Sequence, residues 1–254
     1  AAIPDLINVL SALDYPADRL EIKLITETDD SATRDAIIEQ KPDARFHLIT
    51  VPYCFPQTKP KACNYALHFA TGEFVTIYDA EDAPCPAQLR QAVALFRAHP
   101  QVGCLQARLN YYNAAENMLT RLFSLEYAIL FNIMLPALYS LNIPIPLGGT
   151  SNHVRREILE SLGAWDAYNV TEDADLGVRL ASEGYITLPF PSLTREEAPI
   201  HIRAWLKQRA RWIKGYIQTW TVLARTPAIR RLQLGNTGFW GIHFFIGAAS
   251  FNYM

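Results

Sequence analysis

The sequence predicts an α/β protein built on a mostly parallel sheet flanked by helices. The chain has 254 residues, of which 50% are hydrophobic and 19% charged, so it can bury a large core. Short apolar runs alternate with helix-length segments over residues 21–108, and this alternation is the pattern of βαβ units. Ligands of such sheets bind beyond the carboxyl ends of the strands, so the residues that follow each strand are the first candidates for a site.

The first half contains the predicted sheet. Strands are expected at residues 21–26, 45–51, 73–78 and 102–108, with helices at 31–40, 61–70 and 86–98. Either Asp30 or Ser31 caps the first of these helices, because both side chains can accept a hydrogen bond from its first turn.

Helices dominate the expected second half. Residues 119–139 are apolar nearly all round, which fits either a core helix or a helix at a membrane surface. Prolines are expected to end this helix and to lead into the loop 147–153; they are Pro136, Pro144 and Pro146. Two more helices are expected, from Thr171 to about Ser182 and from His201 to about Leu223.

Acidic residues follow two of the predicted strands. Glu27, Asp29 and Asp30 come after the first strand, and Asp79, Glu81 and Asp82 come after the third. Carboxylates crowded at one edge repel each other, and a bound cation relieves that repulsion. Mg²⁺ or Mn²⁺ typically bridges such carboxylates to a diphosphate. Each cluster also fits a solvated turn with helix-capping acids, so the residues alone leave both interpretations open.

Three motifs in the second half have two interpretations each. Gly148 and Gly149 precede small polar residues, as in a loop where backbone approaches a ligand or in a simple tight turn. The acids of Thr171-Glu-Asp173 suit a catalytic role or the first turn of a helix. Helical spacing places Gln208, Arg211 and Trp212 together, either as a cationic and aromatic ledge beside a diphosphate or as an ordinary surface helix.

Charge and cysteine content narrow the classes of function. The formal net charge is only -2, with no basic stripe interleaved with aromatic residues, which argues against nucleic-acid binding. The four cysteines show no CxxC pair and no partnered histidine, and we interpret them as reduced thiols of a cytosolic protein; they are Cys54, Cys63, Cys85 and Cys104.

Both ends of the chain look cut. The first residues show no signal-peptide layout and enter a helical pattern at once. Residues 238–254 are uncharged and strongly apolar but slightly short for a bilayer span. We expect them to begin a membrane helix or interfacial segment, with a buried terminal helix as the alternative.

Taken together, these motifs resemble glycosyltransferase family 2, in its processive, cellulose synthase-like branch. That branch carries an acid after its first strand, an aspartate-x-aspartate pair, a threonine-glutamate-aspartate triplet and a glutamine-x-x-arginine-tryptophan stretch. Their counterparts here, in the same order, are Glu27 with Asp29 and Asp30, then Asp79-Ala-Glu81-Asp82, then Thr171-Glu-Asp173, then Gln208-Arg-Ala-Arg-Trp212. Lys61-Ala-Cys-Asn64 is similar to the family's segment near the nucleotide, and Gly149-Thr-Ser151 to its acceptor-side loop. The resemblance covers nearly the whole chain and implies a GT-A-type (Rossmann-like) fold.

The resemblance implies a donor site that binds a metal and a nucleotide sugar. Glu27 or Asp29 would contact the uridine of a UDP-sugar, with Lys61 nearby. Asp79 and Glu81 would bind Mg²⁺ or Mn²⁺, which in turn would hold the diphosphate. Two departures from the family pattern affect these roles. Glu81 replaces the usual second aspartate, so Asp82 is an alternative metal ligand, and Glu-Thr-Asp-Asp replaces the common Asp-Asp-Gly-Ser after the first strand.

The resemblance also implies the roles on the acceptor side. Asp173 would be the general base, and Glu172 would tune it or hold the acceptor. Arg211 would offset charge on the departing diphosphate. The implied acceptor-binding residues are Thr150, Ser151, Gln208 and Trp212. A single base with no evident nucleophile implies inversion at the anomeric carbon.

By the same resemblance the chain divides into four parts. Residues 1–115 would bind the nucleotide sugar, with the family's first strand missing, and 116–200 would bind the acceptor. Residues 201–234 would form an interfacial helix, and 235–254 would begin a membrane helix. The implied partners are a UDP-sugar, a glycan or lipid-linked acceptor and the inner membrane, with the catalytic domain facing the cytoplasm.

Two alternatives stay open at this point. A sugar-phosphate nucleotidyltransferase would share the sheet and the carboxylates but normally has a glycine-rich basic loop, which this sequence lacks. The second alternative is a non-catalytic membrane scaffold of the same fold.

Overall fold

The structure, a computed structural model, describes residues 2–251, and for residues 2 and 249–251 it describes the backbone alone. The strands of this part are β1 (Ile22–Glu27), β2 (Phe46–Val51), β3 (Phe74–Thr76), β4 (Ala83–Pro84), β5 (Val102–Tyr111), β6 (Asn152–Arg155) and β7 (Ile186–Glu196). The helices are α1 (Ala2–Ser11), α2 (Ser31–Gln40), α3 (Lys59–Leu67), α4 (Gln88–Ala98), α5 (Met118–Ile129), α6 (Leu135–Ser140), α7 (Arg156–Ser161), α8 (Glu172–Ser182), α9 (Ile202–Ala224) and α10 (Pro227–Phe251).

The strands form two sheets in which the long pairings are parallel. β1 and β2 pair in parallel over six positions. The second sheet has the order β3-β6-β5-β7-β4, and β5 pairs with β7 in parallel over nine positions. The antiparallel pairings, β3 with β6, β5 with β6 and β4 with β7, cover only three, three and two positions. The predicted α/β class with a mostly parallel sheet is therefore confirmed.

Most predicted elements of the first half are present within a few residues of their expected ends. Asp30 caps α2, because its carboxylate accepts a hydrogen bond from the Thr33 amide at 3.1 Å. The sequence did not indicate β6, which lies partly in the expected loop 147–153. It did not indicate β7 either, because Pro189 and Pro191 interrupt the apolar pattern. A shift in register between β5 and β7 leaves Pro191 unpaired, whereas Pro189 stays in register opposite Gln106.

The long apolar helix is continuous past its first proline. α5 passes through a π turn at Leu130–Met134 into α6. Proline lacks an amide hydrogen and its ring clashes with the carbonyl four residues earlier, and a π turn relieves that conflict without ending the helix. The expectation that Pro136 ends this helix is therefore wrong, since the helix stops only at Ser140, before Pro144.

Each of the two interpretations of this helix describes one of its faces. Phe123 and Phe131 belong to a buried aromatic cluster. Leu125 and Ile133 are 58% and 62% exposed on the opposite face. Within the described residues, Met118–Ser140 is the one helix that is long and apolar enough to cross a membrane, by length and composition alone. Only 28% of its apolar 18-residue stretch is buried inside the protein.

The last helix, α10, changes direction at Gly235, where φ is 68°. Beyond this turn Ile242 and Ile246 pack against Val178 of α8 and Leu223 of α9. The predicted membrane segment over 235–254 is thus helical through 251 with one buried face, and residues 252–254 of it lie outside the described part. Its relation to a membrane stays a prediction.

Candidate active site

One cleft of about 1110 Å³ collects most of the predicted site residues. Its walls come from the start of α3, the turn after β3, the loop before β6, the start of α8, and helices α5 and α9. The predicted residues that line it are Asp79, Glu81, Thr150, Glu172, Asp173, Gln208, Arg211 and Trp212. Glu27, Asp29, Lys61, Asp82 and Ser151 do not line it.

The turn after β3 separates two acids that are neighbours in sequence. Glu81 is exposed to the cleft, whereas Asp82 is only 2% exposed. The Asp82 carboxylate accepts a hydrogen bond from the Asp79 amide at 2.7 Å and another from the Thr150 hydroxyl. Burial raises the pKa of Asp82 to about 7, although the Thr150 hydroxyl works in the opposite direction. The metal role considered for Asp82 is corrected accordingly: its carboxylate faces inward and fixes the turn that presents Asp79 and Glu81.

Lys59 joins three segments of the cleft wall. Its Nζ contacts the Asp79 carboxylate and donates to the Gly149 carbonyl at 2.7 Å. Burial acts to lower the pKa of Lys59, but the Asp79 carboxylate outweighs it, so the pKa is raised and the side chain is an ammonium. Sequence reasoning missed Lys59, because the motif drew attention to Lys61.

The first acidic cluster lies behind the rim of the cleft. Glu27 pairs with Lys61 at 2.9 Å. Asp29 accepts a hydrogen bond of 3.1 Å from Gln57, which itself lines the cleft. Asp29 is therefore joined to the cleft through Gln57, whereas Glu27 and Lys61 form a pair outside its lining.

The glycine-rich loop reaches the cleft through its backbone. A Cβ on Gly149 would lie 3.5 Å from Asp173 Oδ2, an ordinary van der Waals distance, so the loop runs directly beside the triplet. The hydroxyl of Thr150, which is 2% exposed, also lies 3.0 Å from the Ile77 carbonyl. Ser151 is fully buried, and its hydroxyl donates to Thr194 at 2.7 Å. The acceptor contact expected of Ser151 is corrected for that reason, since its side chain packs beneath the cleft.

Glu172 and Asp173 begin α8 at the cleft wall. Burial raises the pKa of both carboxyl groups, and their mutual repulsion adds to the shift of Glu172. Positive charge on Lys59 acts in the opposite direction on both. Two adjacent carboxylates with raised pKa in one cleft are the kind of groups that accept a proton near neutral pH.

Two helical glycines hold this triplet in place. A Cβ on Gly177 would lie 2.2 Å from the Ile145 carbonyl oxygen, so α8 is in backbone contact with the segment leading to the glycine loop. A Cβ on Gly215 of α9 would lie 2.5 Å from the Thr171 side chain. Asn169 adds a hydrogen bond of 2.9 Å from its amide to Thr219 on α9. The triplet is thus fixed by direct contact from two sides.

Helix α9 contributes the cationic and aromatic wall. Arg211 is exposed and lines the cleft, and within the described residues no carboxylate forms a salt bridge with it. Trp212 lines the cleft but also packs on Phe123, with ring centroids 6.0 Å apart. Arg209 is 8% exposed and bonds both carboxylate oxygens of Glu126 on α5. Arg209 therefore ties α9 to α5, and of the two arginines Arg211 is the one exposed to the cleft.

Glu196, at the end of β7, is a second cleft residue that sequence reasoning missed. Burial raises its pKa to about 9, and repulsion from Asp82 and Asp79 adds to the shift. Because β7 was not predicted, no signal pointed to the residue at its carboxyl end.

Comparison with known proteins identifies the family. The family model for glycosyl transferase family group 2 matches residues 74–253. The chain belongs to this family. The assignment decides between the open alternatives in favour of a glycosyltransferase rather than a nucleotidyltransferase.

Similar proteins agree with the family assignment. A probable glycosyltransferase of Bacillus subtilis, YdaM, is 31% identical over 80% of this chain and 49% of its own length. A beta-monoglucosyldiacylglycerol synthase of Synechocystis is 29% identical over 89% of the chain and 48% of its own length. The chain thus spans about half the length of these relatives.

Solved structures share the fold of this glycosyltransferase. A mannosyltransferase of Pyrobaculum calidifontis, solved with GDP-Man and Mn²⁺, superposes with a TM-score of 0.73 at 22% identity, over 98% of this chain and 68% of that one. TarS residues 1–349 of S. aureus, solved with UDP-GlcNAc, gives a TM-score of 0.63 at 15% identity, over 96% of this chain and 69% of that one. The GT-A-type fold expected from the sequence is confirmed.

The glycosyltransferase cleft fits a cation that is shared with a ligand. In residues 2–251, no group of three histidine, cysteine, aspartate or glutamate side chains is arranged to hold a metal by itself. Asp79 and Glu81 offer carboxylate oxygens to the cavity, and hard cations prefer such oxygens. Mg²⁺ characteristically takes one or two protein carboxylates and completes its shell with phosphates and waters. Two cavity-facing carboxylates, one of them paired with Lys59, therefore suit a metal–diphosphate complex better than a free metal.

Proposed function

We propose that this glycosyltransferase moves a sugar from a nucleoside diphosphate, with UDP as the expected nucleotide, to an acceptor hydroxyl by direct displacement with inversion. One observation carries the proposal: Asp79 and Asp173 line the same cleft, with Gly149 in contact with both sides through Lys59 and Asp173 Oδ2. Diphosphate chemistry on one wall then faces a carboxylate base on the other.

On the donor wall, Asp79 and Glu81 would hold Mg²⁺ or Mn²⁺ against the diphosphate. The cation would supply charge stabilisation for the leaving group when it is bound. Glu27, Asp29 and Lys61 lie outside the cleft lining, and Gln57 connects Asp29 to the cavity. We assign them to the nucleoside end of the donor. The mannosyltransferase solved with GDP-Man and Mn²⁺ supports a metal-dependent donor site.

On the acceptor wall, Asp173 would accept the proton of the attacking hydroxyl. Burial raises the pKa of Asp173 above that of an exposed aspartate. A general base is most effective when its pKa lies near the working pH, so the shift favours this role at neutral pH. Glu172 would hold the acceptor or tune Asp173 by its charge. No second carboxylate is placed as a nucleophile in this proposal, so the displacement has one step and inverts the anomeric carbon.

Arg211 would stabilise the charge on the departing diphosphate. It is exposed in the cleft without a carboxylate partner among the described residues, whereas its neighbour Arg209 is occupied by Glu126. Gln208 and Trp212 line the same wall and would contact the acceptor, together with the backbone around Thr150.

The acceptor is proposed to be a lipid or a lipid-linked glycan at the inner face of the plasma membrane. The relatives named as glucosyldiacylglycerol synthases support a lipid acceptor. The exposed apolar face of α5 supports contact with lipid. In this proposal residues 1–115 bind the donor and 116–200 the acceptor, 201–234 lie at the interface and 235–254 begin a membrane helix, as in the cellulose synthase-like branch.

The test of this proposal is Asp173→Asn in the full-length protein. We expect sugar transfer to fall by at least about 100-fold, because a positioned general base contributes that much, while nucleotide binding changes little. Transfer is measured in membranes with a panel of nucleotide sugars. Asp166→Asn is the matched control, since Asp166 is exposed and outside the cleft, and asparagine can still accept from the Tyr168 amide. Wild-type turnover in Asp173→Asn would show that the base is misassigned.

A further inference from the structure

We propose that Lys59 competes with the divalent cation for Asp79, so that the metal enters the cleft together with the nucleotide diphosphate rather than alone. This inference deepens the proposed function and rests on its metal–diphosphate donor site. It assigns to Lys59 a role that the motif residues do not cover.

The first support is the contact itself. Lys59 Nζ touches the Asp79 carboxylate, which is one of the two cleft carboxylates proposed to hold the metal. The side chains of Lys59 and Asp79 are 36% and 35% exposed. An ion pair with this much exposure exchanges partners readily, because water and ions reach both groups. Asp79 is therefore neutralised but accessible.

The second support is the anchoring of the Lys59 backbone. Thr58 donates its hydroxyl to the Ala167 carbonyl at 2.9 Å, and Pro60 is buried in the first turn of α3. The backbone is thus fixed beside the loop that precedes the triplet. Only the flexible four-carbon side chain has to move for the ammonium to leave Asp79.

The third support is the balance of charge in the cleft. The carboxylic acids that line it are Asp79, Glu81, Glu126, Glu172, Asp173, Glu196 and Glu197. Lys59 bonds one of these acids, Asp79, and at the same time the Gly149 carbonyl. A divalent cation arriving alone would have to displace an ammonium from Asp79 and would be repelled by it. A diphosphate arriving with the cation offers the ammonium new oxygen partners, which frees Asp79 for the metal.

The two binding events are therefore coupled through Lys59. If the diphosphate lowers the cost of releasing Asp79, then by linkage the metal strengthens diphosphate binding by the same factor. Removal of the ammonium should abolish this coupling and change the two affinities in opposite directions. Metal alone should bind more tightly, and the diphosphate should bind more weakly. A lysine that only stabilised the fold would not separate the two affinities in this way.

The experiment measures Mn²⁺ binding from the free-ion electron paramagnetic resonance signal, with and without UDP, on the full-length protein. We expect Lys59→Met to bind Mn²⁺ alone about 10-fold more tightly and UDP in the presence of Mn²⁺ about 10-fold more weakly, each factor corresponding to about 1.4 kcal/mol. Lys59→Gln is a second variant in case the methionine impairs folding, which circular dichroism would reveal.

The controls distinguish the effect of the Lys59 charge beside Asp79 from the effect of removing any lysine charge. Lys23→Met makes the same charge change outside the cleft, where Lys23 pairs with Glu21 at 3.0 Å, so the affinity for Mn²⁺ alone should stay within about twofold of wild type. Lys59→Arg should behave as wild type. Adding Asp79→Asn to Lys59→Met should abolish the gain in Mn²⁺ affinity.

Two outcomes are distinguishable. Unchanged Mn²⁺ affinity in both Lys59→Met and Lys59→Gln, with UDP still bound in a metal-dependent way, overturns the competition and leaves the proposed donor site intact. Failure of wild type to bind UDP with Mn²⁺ overturns the proposed donor, while the arm with Mn²⁺ alone still decides whether Lys59 shields Asp79.

Discussion

Gly215→Ala is the perturbation for which the structure gives the clearest magnitude. The added Cβ would lie 2.5 Å from the Thr171 side chain and 2.8 Å from its amide nitrogen, where ordinary contacts begin near 3.4 Å. Thr171 or α9 must therefore move by about 1 Å. Glu172 and Asp173 follow Thr171 directly, so the displacement is passed to the proposed base.

The variant should affect activity more than stability. Alanine raises helix propensity by about 1 kcal/mol over glycine, while overpacking costs about 1–3 kcal/mol, so the net loss of unfolding free energy is at most about 2 kcal/mol. A 1 Å misplacement of catalytic groups costs about 100-fold in rate. We therefore expect the urea midpoint to fall by no more than about 1 M, and kcat to drop by roughly two orders of magnitude.

Gly238→Ala on α10 is the matched control, because its Cβ would meet neighbours at 3.3–3.5 Å, which can adjust. It should keep both turnover and stability. Transfer by Gly215→Ala at the wild-type rate, with the protein folded, would refute the view that α9 positions the triplet.

Two further predictions concern charge in the cleft. Burial raises the pKa of Glu196 from 4.5 to about 9. The contribution of protonated Glu196 to the unfolding free energy is therefore fully present below pH 4.5 and is lost as the pH rises toward 9. Glu196→Gln should remove a slope of at most about 1.4 kcal/mol per pH unit from urea unfolding between pH 5.5 and 8.5, whereas Glu197→Gln, at an exposed neighbour, should not. Separately, binding of a nucleoside diphosphate should be lost when a chelator removes Mg²⁺ or Mn²⁺, because Asp79 and Glu81 alone would repel it; equal affinity with and without chelator in calorimetry would contradict the metal site.

Local signals in the sequence predicted the parts of the fold that carry strong periodicity. The strand before Asp79 and the helix after Thr171 both begin and end near their expected positions. β7 was not predicted because its prolines obscure the pattern, and its pairing partner β5 lies about eighty residues earlier in the chain. Glu196 was missed for the same reason.

The sequence motifs predicted which residues belong to the site, but not which of their side chains face the cavity. Glu81 and Asp82 are adjacent in sequence, and only the tertiary contact between Asp82 and Thr150 determines which of them faces the cavity. Similarly, Ser151 and Thr150 are neighbours, but the positive φ of Ser151, 55°, turns its side chain toward Thr194. Such orientations depend on partners distant in sequence, which no local pattern records.

The inward carboxylate of Asp82 has a consequence for protein engineering. The buried Asp82 carboxylate joins the backbone of the turn after β3 to the Thr150 hydroxyl of the glycine loop. The turn therefore does not depend on the exposed side chain at position 81. If the proposed metal site is present, exchanging Glu81 for other oxygen or nitrogen ligands should change its ion preference with little loss of folding stability. The same exchange made at position 82 would separate two halves of the catalytic architecture.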